Sequence, residues 1–335
     1  MTKFLDTCYN AIKKQASAIP NTLKNVEMSL LDVLKDKRLI FTGCGDSYAV
    51  ANYGRWAFLA ASRDSLVLSP LEISMIPLDS NSVVVGITAS GRSIETISAL
   101  KRAKVKGAET IVLTDDKKGA ASEYADHIWL TKSGVGTYNT SPSAPTTAAM
   151  AFLLKLAAFD RENIHTVLGR DVDHLENVRN VDWIIKWAES VGKEIAEIPE
   201  VGDLLYLISD GPNYVAAQIG MMKFNEYSIV KGTSVIREEF RHHYNLSINE
   251  GDPVILVTDN MRSISDDIYK SVLSDTLKMR VFHLFCPHQQ NFNSPHGQTI
   301  ANTIALQMAA YYNVLKHDPQ KESFKQPNAE AFRIY

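Results

Sequence analysis

Val83-Val84-Val85 and Ile87 make a β-branched run broken only by Gly86. The run passes through Thr88-Ala89-Ser90-Gly91-Arg92-Ser93 into Ile94, Ile97, Ala99, Leu100 and Ala103, which have helical spacing. A buried strand that feeds a helix through one short turn fits a parallel sheet covered by helices. The turn itself collects three hydroxyls and a glycine. A helix N-terminus offers unpaired backbone N–H groups and the positive end of the dipole, so hydroxyls and glycine there admit an anion such as phosphate. A Ser/Thr helix cap with no ligand is the alternative.

The same unit recurs. Leu39–Thr42 reads as a strand, Gly43-Cys44-Gly45-Asp46-Ser47 as a turn, and Tyr48–Ala61 as a helix. Leu66–Leu68, Thr110–Thr114 and His127–Leu130 read as further strands of this sheet, after a helical lead-in over residues 3–35. Residues 131–147 have loop composition, Ala148–Phe159 is an apolar helix, and a helical connector runs from Ile164 to Ile198. Strands at 204–208, 254–258 and 281–285 and a last helix at 300–315 then form a second α/β pattern. Ile40-Phe41-Thr42-Gly43-Cys44-Gly45-Asp46-Ser47-Tyr48 can be laid on Tyr206-Leu207-Ile208-Ser209-Asp210-Gly211-Pro212-Asn213-Tyr214, glycine on glycine and tyrosine on tyrosine. The expectation is two tandem three-layer αβα domains with parallel sheets. The first covers 1–160, the connector 161–202, and the second 203–335.

The chain has 335 residues, 45% hydrophobic, enough for two cores. A net charge of -3 with no basic stripe points away from nucleic acid. No run of about 18 apolar residues is present, so no membrane span is expected. The start lacks the apolar core of a signal peptide. Three scattered cysteines, Cys8, Cys44 and Cys286, form no CxxC, which fits a reducing cytoplasm and neither a disulfide frame nor a zinc site.

Chemistry-bearing residues fall in both halves. The Gly43–Ser47 turn fails the GxGxxG dinucleotide pattern because Tyr48 stands at the third glycine, and no P-loop occurs. Two Ser/Thr/Gly turns on one sheet without a nucleotide fingerprint fit a small phosphorylated ligand, with Ser47 aimed into the crevice beyond the strand ends. Glu226, amid Met221, Met222, Phe224 and Tyr227, suits proton shuttling near neutral pH, or is a surface residue of an amphipathic helix. His242 and His243 follow Glu238 and Glu239. Adjacent residues seldom converge on one ion, so no metal is expected and a single histidine acting as proton donor is the stronger use. His288 and His296 join no constellation, and GxSxG is absent.

At these residues the chain resembles the sugar isomerase (SIS) family. Thr88–Ser93 is similar to its S-x-S-G-x-[ST] phosphate loop, and Gly43–Tyr48 to the G-C-G-[ST]-S-Y stretch of aminotransferase isomerase domains. Glu226 and His242 stand sixteen residues apart, the separation of the family's catalytic glutamate and histidine. Phe224–Tyr227, Ser143-Ala144-Pro145 and the histidine doublet look like archaeal-type phosphoglucose/phosphomannose isomerases. The resemblance implies flavodoxin-like SIS domains. It implies a sugar phosphate held by Ser47, Thr88, Ser90, Gly91 and Ser93, with Gly45, Asn139 and Ser141 at the substrate. Glu226 would move a proton between C1 and C2, His242 would open the ring, and Lys325 is the candidate for the family's tail lysine. It also implies no cofactor and a homodimer with shared sites. The activity it implies is isomerisation of a 6-phosphosugar, glucosamine 6-phosphate with fructose 6-phosphate first, with or without ammonia release. Phosphoglucose/phosphomannose isomerase, a sugar–amine deglycase and a non-catalytic phosphosugar-binding protein are the alternatives. The chain departs from the family at Arg92, at Asn139–Thr146, and at His243-Tyr244-Asn245. No glutaminase part is expected, since Cys8 is not at the amino terminus.

Overall fold

The computed structural model describes residues 2–136, 143–160, 167–260, 263–287, 292–324 and 331–334. The chain forms two compact units: residues 1–13 with 182–326, and residues 14–181 with 327–335. In chain order the helices and strands begin with α1 (Lys3–Lys13), which belongs to the former unit, and α2 (Gln15–Leu23), which belongs to the latter.

The unit built on 14–181 holds β1 (Arg38–Gly43), α3 (Asp46–Ala60), β2 (Ser65–Leu68), β3 (Ser82–Ile87), α4 (Ile94–Val105), β4 (Glu109–Thr114), β5 (His127–Leu130), α5 (Ala144–Asp160) and α6 (Val167–Glu176). Its sheet is parallel throughout, in the order β2-β1-β3-β4-β5. Every residue of β3 is buried, as a strand covered on both faces must be. Helix α5 starts at Ala144, four residues ahead of the sequence expectation. Pro145 sits in its first turn, where a missing N–H costs nothing. The threonines that look like loop composition are held by bonds: Thr146 donates to Asp46 Oδ2 at 3.0 Å and Thr147 to Gln15 Oε1 at 2.6 Å.

The unit built on 182–326 takes up most of α7 (Val178–Ala196), then β6 (Leu204–Ser209), α8 (Asn213–Tyr227), β7 (Lys231–Ile236), α9 (Arg237–His242), β8 (Pro253–Val257), α10 (Ile264–Ser271), β9 (Arg280–Leu284) and α11 (Pro295–His317). Its parallel sheet runs β7-β6-β8-β9. Both sheets therefore begin with the flavodoxin-like order, second strand, first, third, fourth. Edge strand β7, Lys-Gly-Thr-Ser-Val-Ile, is absent from the sequence expectation because it has no apolar run to mark it. Helix α1 packs on α11, and its Tyr9 and Lys13 reach Glu189 Oε1 and Oε2 at 2.8 and 3.0 Å. The helical connector is two helices. Asn177 parts them, its side chain accepting the Arg179 N–H at 3.0 Å.

Candidate active site

In the 14–181 unit strand order reverses between β1 and β3, and open α/β sheets bind ligands at the carboxyl ends beside such a reversal. Both hydroxyl turns emerge there. Gly43 has no room for a side chain: a Cβ would lie 2.8 Å from the Ser47 backbone. Gly45 turns the chain at φ 56°, a left-handed conformation that favours glycine. Ser47 then stands half-buried in the first turn of α3.

The turn after β3 is pinned from several sides. The Thr88 N–H donates to the Leu113 carbonyl at 3.0 Å, and the Ala89 carbonyl accepts the Asp115 N–H at 3.0 Å and the Thr114 hydroxyl at 3.2 Å. Gly91, at φ 65°, lies against Gly119 so closely that a Cβ on Gly119 would meet the Gly91 Cα at 2.6 Å. Ser90 is 9% exposed, and its Oγ accepts the Arg92 N–H at 3.3 Å. The Ser93 hydroxyl donates to Cys44 Sγ at 3.4 Å and accepts from Thr96 at 3.3 Å. This sulfur–hydroxyl contact joins the two turns directly, so Ser47, Thr88, Ser90, Gly91 and Ser93 come from adjacent segments. Beside Ser47 and Ala89 opens a cleft of about 20 Å³, lined also by Asp46, Asp115, Pro145, Thr146 and Ala149. That is room for a water-sized group. Asp115 is engaged by Thr131 at 2.7 Å and Ser133 at 2.6 Å. Asn139, Ser141 and Lys325 lie outside the described residues.

Residues 33–159 match the SIS domain profile. This segment is an SIS domain. Across 282 residues the chain is 24% identical to the glutamine–fructose-6-phosphate aminotransferase (isomerizing) of Brucella abortus, covering 82% of this chain and 44% of that protein. The chain thus spans less than half the length of such relatives. Among solved structures it is similar to the C-terminal domain of glucosamine-fructose-6-phosphate aminotransferase from Francisella tularensis. That match has TM-score 0.77 and 18% identity, over 92% of this chain and 95% of that one. It is also similar to a glucosamine-6-phosphate deaminase from Thermotoga maritima, with TM-score 0.71 and 14% identity over 93% and 95%. These likenesses establish the shared fold. The SIS domain contains both hydroxyl turns, the cleft between them and most of α5.

Outside the SIS domain, Glu226 lies on the last turn of α8 with a side chain 34% exposed. Its Oε2 is 3.0 Å from the Nζ of Lys223, which is wholly buried. Sequence reasoning surrounded Glu226 with apolar groups and passed over this ammonium. Its i,i+3 spacing was visible, but its depth comes from the packing of α8 on α11 and β7. His242 ends α9 with a side chain 72% exposed, 3.2 Å from Glu238 Oε1, and His243 faces Glu239 Oε2 at 3.8 Å. Nearby, Asp210 at the end of β6 has its carboxyl pushed up by burial, against the pull of Arg237. Among the described residues no group of three or more His, Cys, Asp or Glu side chains is placed to share a metal ion.

Proposed function

We propose that the chain is an aldose–ketose isomerase of 6-phosphosugars that turns glucosamine 6-phosphate into the C2 imine of fructose 6-phosphate, which water hydrolyses to fructose 6-phosphate and ammonia. The observation that carries the reading is the pair of hydroxyl turns joined at the strand-order reversal of an SIS domain. Backbone N–H groups at the starts of α3 and α4, with the hydroxyls of Ser47, Thr88, Ser90 and Ser93, form the anchor for the phosphate. The names of the similar proteins, an isomerizing aminotransferase and a glucosamine-6-phosphate deaminase, support a phosphorylated hexose or hexosamine.

Isomerisation moves one proton between neighbouring carbons. In this reading the Glu226 carboxylate takes the proton from the carbon beside the carbonyl and returns it to the former carbonyl carbon, leaving itself unchanged. Lys223 holds the carboxylate in place through the 3.0 Å contact. His242 serves ring opening, supplied by a second copy of the chain, which accords with its exposure.

The test is formation of fructose 6-phosphate from glucosamine, glucose and mannose 6-phosphates, with ammonia assayed alongside. Turnover of the first above the others supports the assignment, and no turnover with any of the three overturns it. Glu226→Gln should abolish turnover while phosphosugar binding persists. Full activity in that variant removes Glu226 from the mechanism.

A further inference from the structure

The two sheets share more than strand order. The turn after β3 and the turn after β8 both read Thr-x-x-x-Arg-Ser-Ile, Thr88 to Ile94 and Thr258 to Ile264. The turns after β1 and β6 carry left-handed glycines at matching positions, Gly45 at φ 56° and Gly211 at φ 54°. Asn213 thus stands where the other unit has Ser47, Thr258 where it has Thr88, and Asn260 where it has Ser90.

What differs is the helix that closes each crevice. Helix α5 presents Pro145, Thr146 and Ala149; α11 presents Gln298, Thr299 and Asn302 at the same spacing. Each threonine bonds the start of the helix opposite it, at neighbouring stations. Thr146 donates to Asp46 at the start of α3 at 3.0 Å, and Thr299 donates to Asn213 at the start of α8 at 3.3 Å. Pro145 and Ala149 line the cleft beside Ser47. In the other unit long amides occupy those stations. Gln298 Oε1 accepts the Asn260 N–H at 3.0 Å. Asn302 Nδ2 donates to Asn213 Oδ1 at 2.9 Å and to the Thr258 carbonyl at 2.8 Å. Both amides are fully buried.

We propose that the second strand-order reversal is a copy of the phosphate crevice that the chain fills with its own side chains, Gln298 and Asn302. Asn213 Oδ1, the Asn260 N–H and the Thr258 carbonyl are already bonded to α11, and the Thr258 hydroxyl lies 2.9 Å from His283 Nε2 on β9. Of the two amides themselves, Gln298 Nε2 and Asn302 Oδ1 are left over, a neutral donor and a neutral acceptor suited to a water. Resting on the function proposed above, the chain then holds one phosphosugar, on the 14–181 unit, and the other unit's crevice is structural.

Calorimetric titration with inorganic phosphate and with fructose 6-phosphate reads the stoichiometry. One site per chain is expected, lost in a Ser47→Ala/Ser90→Ala variant. A second phosphate per chain overturns the proposal. Independently of any ligand, Asn302→Ala should lower Tm by about 3–9 °C, because it takes one of two donors from Asn213 Oδ1 and the Asn302 donor from the Thr258 carbonyl in the interior. Molar acetamide, which carries the missing amide, should recover part of that loss. An unchanged Tm overturns the proposal as well. Asn302→Ser, which keeps a hydroxyl, provides the same reading at smaller amplitude if the alanine variant does not fold. Absence of all phosphosugar binding would refute the isomerase reading, whereas the filled crevice would still stand or fall on the Tm of these variants.

Discussion

Ser47, Ser90 and Lys223 each offer a single-residue test of the proposed chemistry. A hydrogen bond to a charged group contributes about 1.5–3 kcal/mol. Ser47→Ala and Ser90→Ala should therefore each weaken fructose 6-phosphate binding by about 10- to 100-fold, measured by titration, with little change in Tm. Lys223→Met replaces a buried ammonium by an apolar chain of similar length and leaves the Glu226 carboxylate, 34% exposed, to be solvated by water. Turnover should fall at least about tenfold with KM nearly constant, since Glu226 loses its positioning contact rather than the substrate losing a ligand. Asp266 offers a pH test. Burial raises its carboxyl, but the Ser263 N–H and Arg237 at 2.6 Å outweigh this and hold it below the usual aspartate range. A depressed folded-state value means stability that is present above the ordinary aspartate value near 3.9 and lost as pH falls through the lower folded value. Tm of the wild type should fall more steeply than that of Asp266→Asn as pH drops from about 5 to 2. At this scale the hydroxyls were legible because turn chemistry is local. Lys223 was not, because burial is a property of what packs over it.

At the scale of elements, the proposed phosphate anchor depends on one loop lying against another. Gly119 has an ordinary φ of −62°, so its replacement meets no backbone strain, only crowding by Gly91 and by the Ser90 carbonyl at 2.7 Å. Gly119→Ala should displace the phosphate turn and weaken phosphosugar binding by more than about tenfold. Gly107→Ala, at φ 83° in open space, should cost stability but leave binding intact. Denaturation and titration of the two variants separate the effects. Strands with apolar runs, β1, β3, β4, β6 and β8, were readable from their residues. β7 was not, since an edge strand half-open to solvent carries Lys, Gly, Thr and Ser. The early start of α5 was hidden by Thr146 and Thr147, whose partners Asp46 and Gln15 are distant in sequence.

At the scale of the molecule, the duplicated pattern of strand, turn and helix was legible in the tyrosine and glycine matches of the two halves. The attachment of α1 to the 182–326 unit was not, because it rests on Glu189 gathering Tyr9 and Lys13 from α1 and Tyr312 from α11. The exposure of His242 carries a prediction about assembly. If a second copy supplies the histidine, Glu226→Gln and His242→Ala should each be inactive alone. Unfolded and refolded together, they should recover roughly a quarter of wild-type turnover, since half of randomly paired dimers are mixed and each has one intact site. No recovery in assembled mixtures would place the histidine and glutamate of one chain together.

Helix α5 has a further consequence, for how the protein fails when heated. Apart from Lys155, Phe159 and Asp160, each of its residues is buried, so no face is made for water. Once the surrounding packing opens, the stretch from Ala148 to Leu154 is offered to other opened copies, and association then competes with reclosing. Loss on heating becomes a race between rates, and the apparent Tm should rise with scan speed and fall with protein concentration.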